Sequence, residues 1–420
     1  MLKNAIYAQS GGVTSVINAS AYGVISTCRA MCDKIGILYA AENGILGVLH
    51  ENLIDTTKES DMDIEALRST PGGAFGSCRY KLKSLEKNKK EYERLIEVFS
   101  AYDIEYFFYN GGNDSADTCL KVSQVAQELG YPIKAIHIPK TIDNDLVITD
   151  NCPGFGSVAK YIATSICEAG FDLASMHATS TKVFILEVMG RNAGWIAASG
   201  GLASFDNSLP PHMILFPEIT FDEKKFLAKV DDTVEKYGYC VIAASEGLKN
   251  QSGGLLSDSG TSDAFGHAQL GGVASFLATL VNDRLNLKCH YAIADYLQRS
   301  ARHISSKTDV EQAIALGVAG VKLALDGHNA IMPYIKRISQ KPYVWAIDCA
   351  KLEDIANHEK FMPRNFIDAE GFYITQECRE YLEPLIQGED YPRFVNGIPS
   401  YVRLKNIKVT KKLTPFMQNV

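Results

Sequence analysis

The sequence predicts an α/β protein of two doubly wound, Rossmann-like lobes followed by a C-terminal extension. Short apolar runs alternate with longer segments of helical periodicity, which is typical of βα units and a largely parallel sheet. Polar residues and glycines gather where these runs stop, at the edge where open α/β sheets bind ligands. The alternation restarts after about residue 150, in a chain of 420 residues that is long enough for two domains.

The first lobe is predicted from four apolar runs and the helices between them. A helix follows Gly11 and Gly12 and extends to about Ala30, and another follows the third run. The charged segment at residues 81–94 has helical spacing and predicts a solvated helix rather than a binding patch. The predicted strands are residues 5–9, 35–41, 104–110 and 133–139.

The second lobe repeats this order of strands and helices. It starts with a predicted helix at residues 156–169 and ends with one at residues 271–285, after a Gly-, Ser- and Asp-rich loop at residues 251–271. Beyond about residue 350 the pattern weakens and prolines appear, so this part is predicted to wrap around the core without an assigned chemistry. The predicted strands are residues 182–188, 213–216 and 239–244.

Composition excludes several classes of protein. Hydrophobic residues make up 46% and charged residues 22% of the chain, which is ordinary for a globular protein and excludes a disordered one. The net charge of −7 argues against nucleic acid or an anionic membrane as the main partner. The ten cysteines show no metal-binding spacing and the N-terminus shows no signal peptide, so we expect reduced thiols in a cytoplasmic protein.

Two glycine-rich turns are candidate anion sites. Gly11 and Gly12 follow the first strand, where backbone N–H groups and a helix N-terminus attract anions. Residues 71–79 place three glycines before Arg79, whose guanidinium can bind an anion through two hydrogen bonds. A tight turn and a plain surface loop are the competing interpretations. The first turn lacks the G-x-G-x-x-G spacing, which argues against a nicotinamide oxidoreductase.

Two acidic turns follow neighbouring predicted strands. The first is Gly111-Gly112-Asn113-Asp114 and the second is Lys140-Thr141-Ile142-Asp143-Asn144-Asp145. Carboxylates are costly to gather unless a metal, a cation or a proton transfer requires them. Turn formation and helix capping are the alternative, because Asp and Asn also serve those roles. The position of both turns at strand ends favours the functional interpretation.

Together these residues resemble the phosphofructokinase family, and within it the pyrophosphate-dependent branch. The resemblance covers roughly residues 1–350 and includes, in family order, Met189-Gly190-Arg191-Asn192-Ala193-Gly194-Trp195, Ser245-Glu246-Gly247 and Tyr296-Leu297-Gln298-Arg299. It implies the phosphofructokinase fold, with residues 1–145 and about 298–350 as the phosphate-donor lobe. Residues 146–297 would then form the sugar-phosphate lobe, and residues 351–420 an extension of unknown role.

The resemblance also implies a reaction, the phosphorylation of the 1-hydroxyl of fructose 6-phosphate. Asp143 would be the base that takes the hydroxyl proton, and Asp145 would help in positioning or in the metal environment. Phosphoryl transfer needs an aligned nucleophile and cations around the phosphoryl oxygens. The remaining implied roles are phosphoryl contact by Thr141, positive charge from Arg191 and Arg79 with the Gly11 and Gly12 amides, sugar contacts from Met189, Gly190 and Glu246, and 6-phosphate contacts from Tyr296 and Arg299.

Two positions decide the expected donor. ATP-using members of the family have Gly where Asp114 stands, and typically Gly where Lys140 stands. A carboxylate at 114 would occupy space and repel charge where ATP must lie, whereas Lys140 suits pyrophosphate. We therefore expect pyrophosphate as donor in a reversible reaction, with an ATP-dependent sugar-phosphate kinase and a non-catalytic sugar-phosphate-binding subunit as the alternatives.

Some positions depart from the family pattern. The family's Asp at position 113 helps to hold Mg²⁺, and Asn113 brings no charge, so Asn113 and Asp114 are only candidate metal positions. Lys182 stands where many members carry an Arg that reaches the neighbouring subunit's sugar phosphate. Because members build their sites across subunit contacts, we expect a homodimer or homotetramer.

Overall fold

The structure is a computed structural model that describes residues 2–256 and 272–417. Most of the predicted loop at residues 251–271 therefore lies outside the described residues. Twelve helices lie within the described part of the chain, and the strands of its larger sheets number eleven, with a small hairpin near the C-terminus. None of the described helices is long and apolar enough to cross a membrane.

The strands alternate with helices over most of the chain. They are β1 (Lys3–Gln9), β2 (Ile35–Ala41), β3 (Leu53–Asp55), β4 (Ile104–Gly111), β5 (Lys134–Pro139), β6 (Val183–Val188), β7 (Met213–Leu215), β8 (Cys240–Ser245), β9 (Cys289–Ile293), β10 (Ile331–Ser339), β11 (Val344–Lys351), β12 (Phe394–Val395) and β13 (Ile398–Pro399).

The helices cover the faces of the sheets. They are α1 (Ile17–Ala30), α2 (Gly44–Leu49), α3 (Asp61–Ala66), α4 (Leu85–Ala101), α5 (Asn113–Glu128), α6 (Phe155–Met176), α7 (Trp195–Ser199), α8 (Glu223–Tyr237), α9 (Val273–Leu285), α10 (Leu297–Ser300), α11 (Lys307–Leu325) and α12 (Gln376–Leu382).

The strands form two sheets, as the predicted fold class requires. The first has the order β11-β10-β5-β4-β1-β2-β3, with a parallel centre and antiparallel β3 and β11 at its edges. The second, β7-β8-β6-β9, is parallel throughout. In the first sheet the chain adds β2 on one side of β1 and later adds β4 on the other side. The order in which strands are added therefore reverses between β1 and β4. Ligands of open α/β sheets bind at such a reversal.

Most predicted elements agree with the structure, with shifts at their ends. The helix predicted at residues 156–169 continues to Met176, and the one predicted from residue 271 begins at Val273, after Gly272 with a φ of 101°. Strands β3, β9, β10 and β11 were not predicted. The division into lobes at the residue numbers given above stays a prediction.

The C-terminal part of the chain packs on both sheets, as predicted. Leu352, Ile355 and Ala356 join the core beneath the first sheet, and Met362 and Phe366 join the core of the second. Residues between these two groups therefore cross from one half of the molecule to the other. This crossing passes the ends of β5 and β6, where the predicted site residues lie.

Candidate active site

The turn after β1 is formed by glycines that two arginines approach closely. Gly11 has a φ of 74°, which a residue with a side chain rarely adopts. A Cβ atom placed on Gly12 would lie 2.6 Å from Nη1 of Arg299 and 3.8 Å from Nη2 of Arg79. A side chain at position 12 would displace the Arg299 guanidinium, so glycine lets two guanidinium groups lie over the backbone of this turn.

Lys140 lies directly beneath this turn. Its Nζ donates hydrogen bonds to the carbonyl oxygens of Ser10 (2.8 Å) and Gly12 (2.6 Å), and only 2% of the residue is exposed. Burial, with the nearby charge of Arg299 as the next cause, lowers the pKa of Lys140 to about 7. An anion in the turn would favour the charged form of this amine.

The turn after β5 is fixed by its own side chains. The Asp143 N–H donates to Thr141 Oγ1 at 3.1 Å. Asn144 has a left-handed φ of 54°, and its side chain accepts from the Cys152 N–H at 3.0 Å and donates to the Tyr381 hydroxyl at 3.0 Å. These bonds fix the turn with Asp143 close enough for its charge to act on Asp145.

The two aspartates share an environment of mixed charge. Burial raises the pKa of Asp143, and the carboxylate of Glu246 adds to this, while Lys140, Arg191 and Arg299 oppose it. Burial also raises the pKa of Asp145, with the charge of Asp143 as the next cause. A raised pKa makes an ionised Asp143 a stronger proton acceptor than an ordinary carboxylate.

The turn after β4 begins α5 and lies beside the turn after β5. Gly111 and Pro139 are register partners, and the Lys140 N–H donates to the Gly111 carbonyl at 2.9 Å. Asp114 Oδ1 forms an ion pair with Lys81 Nζ at 2.7 Å. Lys81 therefore compensates the charge of Asp114, so the expected exclusion of ATP at this position would depend on the space that the side chain fills more than on its charge.

The side chain of Asn113 is hydrogen-bonded to the C-terminal part of the chain. Its Oδ1 accepts from the Asn357 N–H at 2.7 Å, and its Nδ2 donates to the His358 carbonyl oxygen. The amide therefore has a structural contact at each end, which leaves little for a metal ion.

The turn after β6 positions Arg191 against the end of β8. Gly190 has a φ of 122°, and its N–H donates to Glu246 Oε1 at 3.3 Å. A Cβ atom on Gly247 would lie 2.0 Å from the Arg191 carbonyl oxygen, so glycine is required there. Arg191 Nε is buried and lacks a hydrogen-bond partner within the described residues, which suits a donor awaiting an anion. The Met189 N–H donates to Gln298 Oε1 at 3.3 Å.

Arg299 and Lys182 lie in different places, and their expected roles at the sugar 6-phosphate stay predictions. The Arg299 guanidinium is 4.0 Å from the centre of the Tyr296 ring and lies over Gly12, in the turn after β1. Lys182 precedes β6, whereas Met189 follows it. At about 3.3 Å per residue the two are roughly 20 Å apart, so Lys182 does not join the site of its own chain.

Sequence reasoning missed a set of residues from the C-terminal part. Lys360 Nζ donates to Asn144 Oδ1 (3.2 Å) and to the Thr149 and Asp150 carbonyls (3.1 and 3.0 Å). The Trp195 ring nitrogen donates to the Lys360 carbonyl at 3.2 Å. No local pattern in the sequence marks these residues, because their partners lie more than 150 positions away.

The fold and this site define a class of protein. Residues 4–324 match the family described as "Phosphofructokinase", and the chain belongs to that family. The resemblance seen in the sequence is thereby confirmed.

The chain is also similar to individual proteins whose names state a pyrophosphate-dependent activity. The "Pyrophosphate--fructose 6-phosphate 1-phosphotransferase" of Halomonas elongata is 63% identical over 413 residues, covering 98% of this chain and 99% of that protein. The protein of the same name from Methylococcus capsulatus is 62% identical over 98% of both chains. The crystal structure of a pyrophosphate-dependent phosphofructokinase from Nitrosospira multiformis superposes with a TM-score of 0.92 at 62% identity, covering 99% of this chain and all of that one.

Proposed function

We propose that this chain transfers a phosphoryl group reversibly from pyrophosphate to the 1-hydroxyl of fructose 6-phosphate. The products are fructose 1,6-bisphosphate and phosphate. The observation that carries the proposal is the convergence of Lys140, Arg79 and Arg299 on the backbone of Gly12, beside the buried carboxylate of Asp143. Relatives that share about three fifths of the sequence carry this activity in their names.

The chemistry follows from the positions of these groups. The 1-hydroxyl oxygen attacks the nearer phosphorus of pyrophosphate, the bond from that phosphorus to the bridging oxygen breaks, and phosphate leaves. Asp143 accepts the hydroxyl proton as the new O–P bond forms. Arg79 and Arg191 stabilise the phosphoryl oxygens, and Thr141 lines the path of transfer.

The turn of Gly11 and Gly12 after β1, called the donor turn below, accounts for the choice of pyrophosphate. Lys140 and the Gly11 and Gly12 amides offer charge and hydrogen bonds to a small, densely charged anion. Asp114 fills the space next to the turn and is held there by Lys81. An ATP-dependent kinase of the same fold is the alternative, and no described contact favours it.

The proposed sugar-binding part of the site is built around the turn after β6, which carries Arg191. Glu246 would accept hydrogen bonds from sugar hydroxyls, and Met189 and Gly190 would shape the pocket. Tyr296, Arg299 and Lys182 remain proposed 6-phosphate contacts, with Lys182 directed toward a neighbouring subunit. The exposed strand β9, with Tyr291 and Ile293 each 45% exposed, supports a homodimer or homotetramer.

Mg²⁺ fits this site as part of the substrate complex. No group of three or more His, Cys, Asp or Glu side chains among the described residues is arranged to hold a metal alone. Asp145 Oδ1, however, is buried and has no hydrogen-bond partner within the described ranges. Mg²⁺ typically uses one or two carboxylates together with substrate phosphates and water, and it would neutralise charge on pyrophosphate. The cytoplasmic location stays a prediction.

A direct assay tests the proposal. Purified protein is supplied with fructose 6-phosphate and either pyrophosphate or ATP, and fructose 1,6-bisphosphate is measured, with sedoheptulose 7-phosphate as a second acceptor. We expect turnover with pyrophosphate and little with ATP. Turnover with ATP alone would establish the alternative kinase, and failure with both donors, with intact sugar-phosphate binding, would establish the non-catalytic binding subunit.

A further inference from the structure

A five-residue segment of the C-terminal extension contacts the turns after β4, β5 and β6. This segment, residues 357–361, is called the strap below. Its first two residues bond to Asn113 on the donor side, and the Asn357 side chain donates to Asp117 Oδ1 at 3.0 Å. Its later residues bond to the turn after β5 and to the start of α7. The strap is thus fixed by both halves of the molecule.

The contacts of the strap explain why position 113 is an amide. Asn113 accepts a hydrogen bond from one strap residue and donates one to the next. An aspartate could accept the first bond, but its carboxylate would face the His358 carbonyl oxygen without a proton to donate. The residue therefore holds the strap at the cost of the negative charge that an acidic side chain would supply at this place.

The strap itself brings a carboxylate to the site. Glu359 pairs with Leu146 in an antiparallel bridge, and the next residue donates its N–H to the Asp145 carbonyl at 2.7 Å. The Glu359 side chain is exposed and is held by Asn192 Nδ2, at 3.2 Å from one oxygen and 3.5 Å from the other. It therefore stands between the turn of Asp145 and the residue that follows Arg191.

Neither Asp145 nor Glu359 forms an ion pair with a described residue, although the charges of the buried Lys140 and Lys360 act on Asp145 from a greater distance. Within residues 2–256 and 272–417, no Lys, Arg or His side chain lies within 4.0 Å of either carboxylate. Asp145 Oδ1 in addition is buried without a partner. Two neighbouring carboxylates of this kind repel one another unless a cation joins them.

We propose that Glu359 acts with Asp145 to hold the divalent cation that enters with pyrophosphate, replacing the charge that Asn113 does not supply. The proposal rests on the proposed function. Both carboxylates present oxygen ligands, which Mg²⁺ prefers, and the remaining positions belong to water and to the phosphates. Whether Glu359 contacts the ion directly or through a water ligand, removal of its charge weakens binding.

The test is Mn²⁺ binding followed by electron paramagnetic resonance, with methylenediphosphonate in place of pyrophosphate so that no turnover occurs. We compare the unmodified chain with E359Q, which keeps the shape of the side chain and an acceptor for Asn192. The control is E370Q, since Glu370 is an exposed carboxylate of the same extension whose partner is Lys229 on the surface. We expect the dissociation constant of Mn²⁺ to rise about tenfold in E359Q and to stay within twofold in E370Q.

Kinetics with pyrophosphate give a second readout. The Mg²⁺ concentration for half-maximal rate should rise about tenfold in E359Q, and saturating Mg²⁺ should restore kcat. Equal Mn²⁺ affinity in E359Q and the unmodified chain would overturn the proposal, as would equal weakening in E370Q. Failure of the unmodified chain to use pyrophosphate would overturn the proposed function instead, because the binding comparison does not depend on turnover.

Discussion

The donor side and the acceptor side of this site are built differently. On the donor side, the turns after β1, β4 and β5 are neighbours in one sheet, and Lys140 is buried beneath them with 2% of its surface exposed. On the acceptor side, Tyr296 is 59% exposed and the adjoining strand β9 is an exposed sheet edge. The difference teaches that, under the proposed function, the donor site would be preformed within one chain, whereas the far end of the sugar site would be left open.

This contrast has a physical basis. A buried lysine beside two arginines is costly without an anion, and the cost is met by backbone carbonyls and by the rigid glycine turn. Such a site discriminates among donors because its groups cannot move away. Under the proposed function, an open edge would instead allow the sugar phosphate to enter and a second chain to complete the contacts.

The largest effect is expected where the two sides meet, at Asp143. Replacing it with serine removes the proton acceptor, so kcat should fall by about 10²–10⁴-fold. Binding of fructose 6-phosphate, measured by calorimetry, should change little, since the cations that bind phosphates remain. A variant with nearly normal kcat would remove Asp143 from the role of base and would break the division of the site proposed above.

Two lysines provide a matched pair for the two sides. Lys140→Met removes a charged donor from the donor turn, and KM for pyrophosphate should rise about 10–100-fold, in line with about 1.5–3 kcal/mol for a charged hydrogen bond. Lys182→Met should raise KM for fructose 6-phosphate and leave KM for pyrophosphate unchanged. Steady-state kinetics with each substrate varied decide this, and a KM for pyrophosphate that rises in Lys182→Met would contradict the comparison.

Variants at positions 114 and 140 test which phosphate donor the donor side accepts. Asp114→Gly, alone or with Lys140→Gly, should open space beside the donor turn and leave Lys81 available for an additional phosphate of ATP. We expect ATP-dependent formation of fructose 1,6-bisphosphate to appear while pyrophosphate use declines. Sugar-phosphate affinity serves as the control and should not move. If neither variant uses ATP, exclusion by Asp114 does not explain the donor preference.

The smallest expected effect is on pH dependence. Burial and the charge of Glu246 raise the pKa of Asp143, and this residue must be ionised to accept a proton. As pH falls through that raised pKa, kcat/KM should fall, at a pH well above the ordinary titration of aspartate. In Glu246→Gln a neighbouring negative charge is lost, so the pKa of Asp143 drops and the acidic limb moves to lower pH. If the acidic limb of the pH profile does not move, the charge of Glu246 does not raise the pKa of Asp143.

Much of the donor side was predictable because its residues follow strands directly. Gly11, Gly12, Lys140 and Asp143 stand at strand ends in a strictly alternating chain, and the carboxyl ends of parallel neighbours meet at one edge. The order of motifs then identified the family. The particular roles of the site residues stay predictions.

The strap and strands β10 and β11 were not predictable from the same signals. Pro333 interrupts β10, and proline argues against a strand when only the sequence is read. Glu359 and Lys360 carry no periodicity, and they contact turns that lie far away along the chain. Arg299 shows the same limit, since its place over Gly12 depends on how the second half of the chain packs on the first.

The hydrogen bonds of Lys360 affect the order in which the protein becomes functional during synthesis. The ammonium of Lys360 donates hydrogen bonds to Asn144 and to two carbonyls behind the turn of Asp143. Lys360 is translated more than 200 residues after that turn. A ribosome-bound chain that has already folded both sheets therefore still lacks the group that locks this turn. Catalytic competence is expected to arise only when the tail leaves the ribosomal exit tunnel.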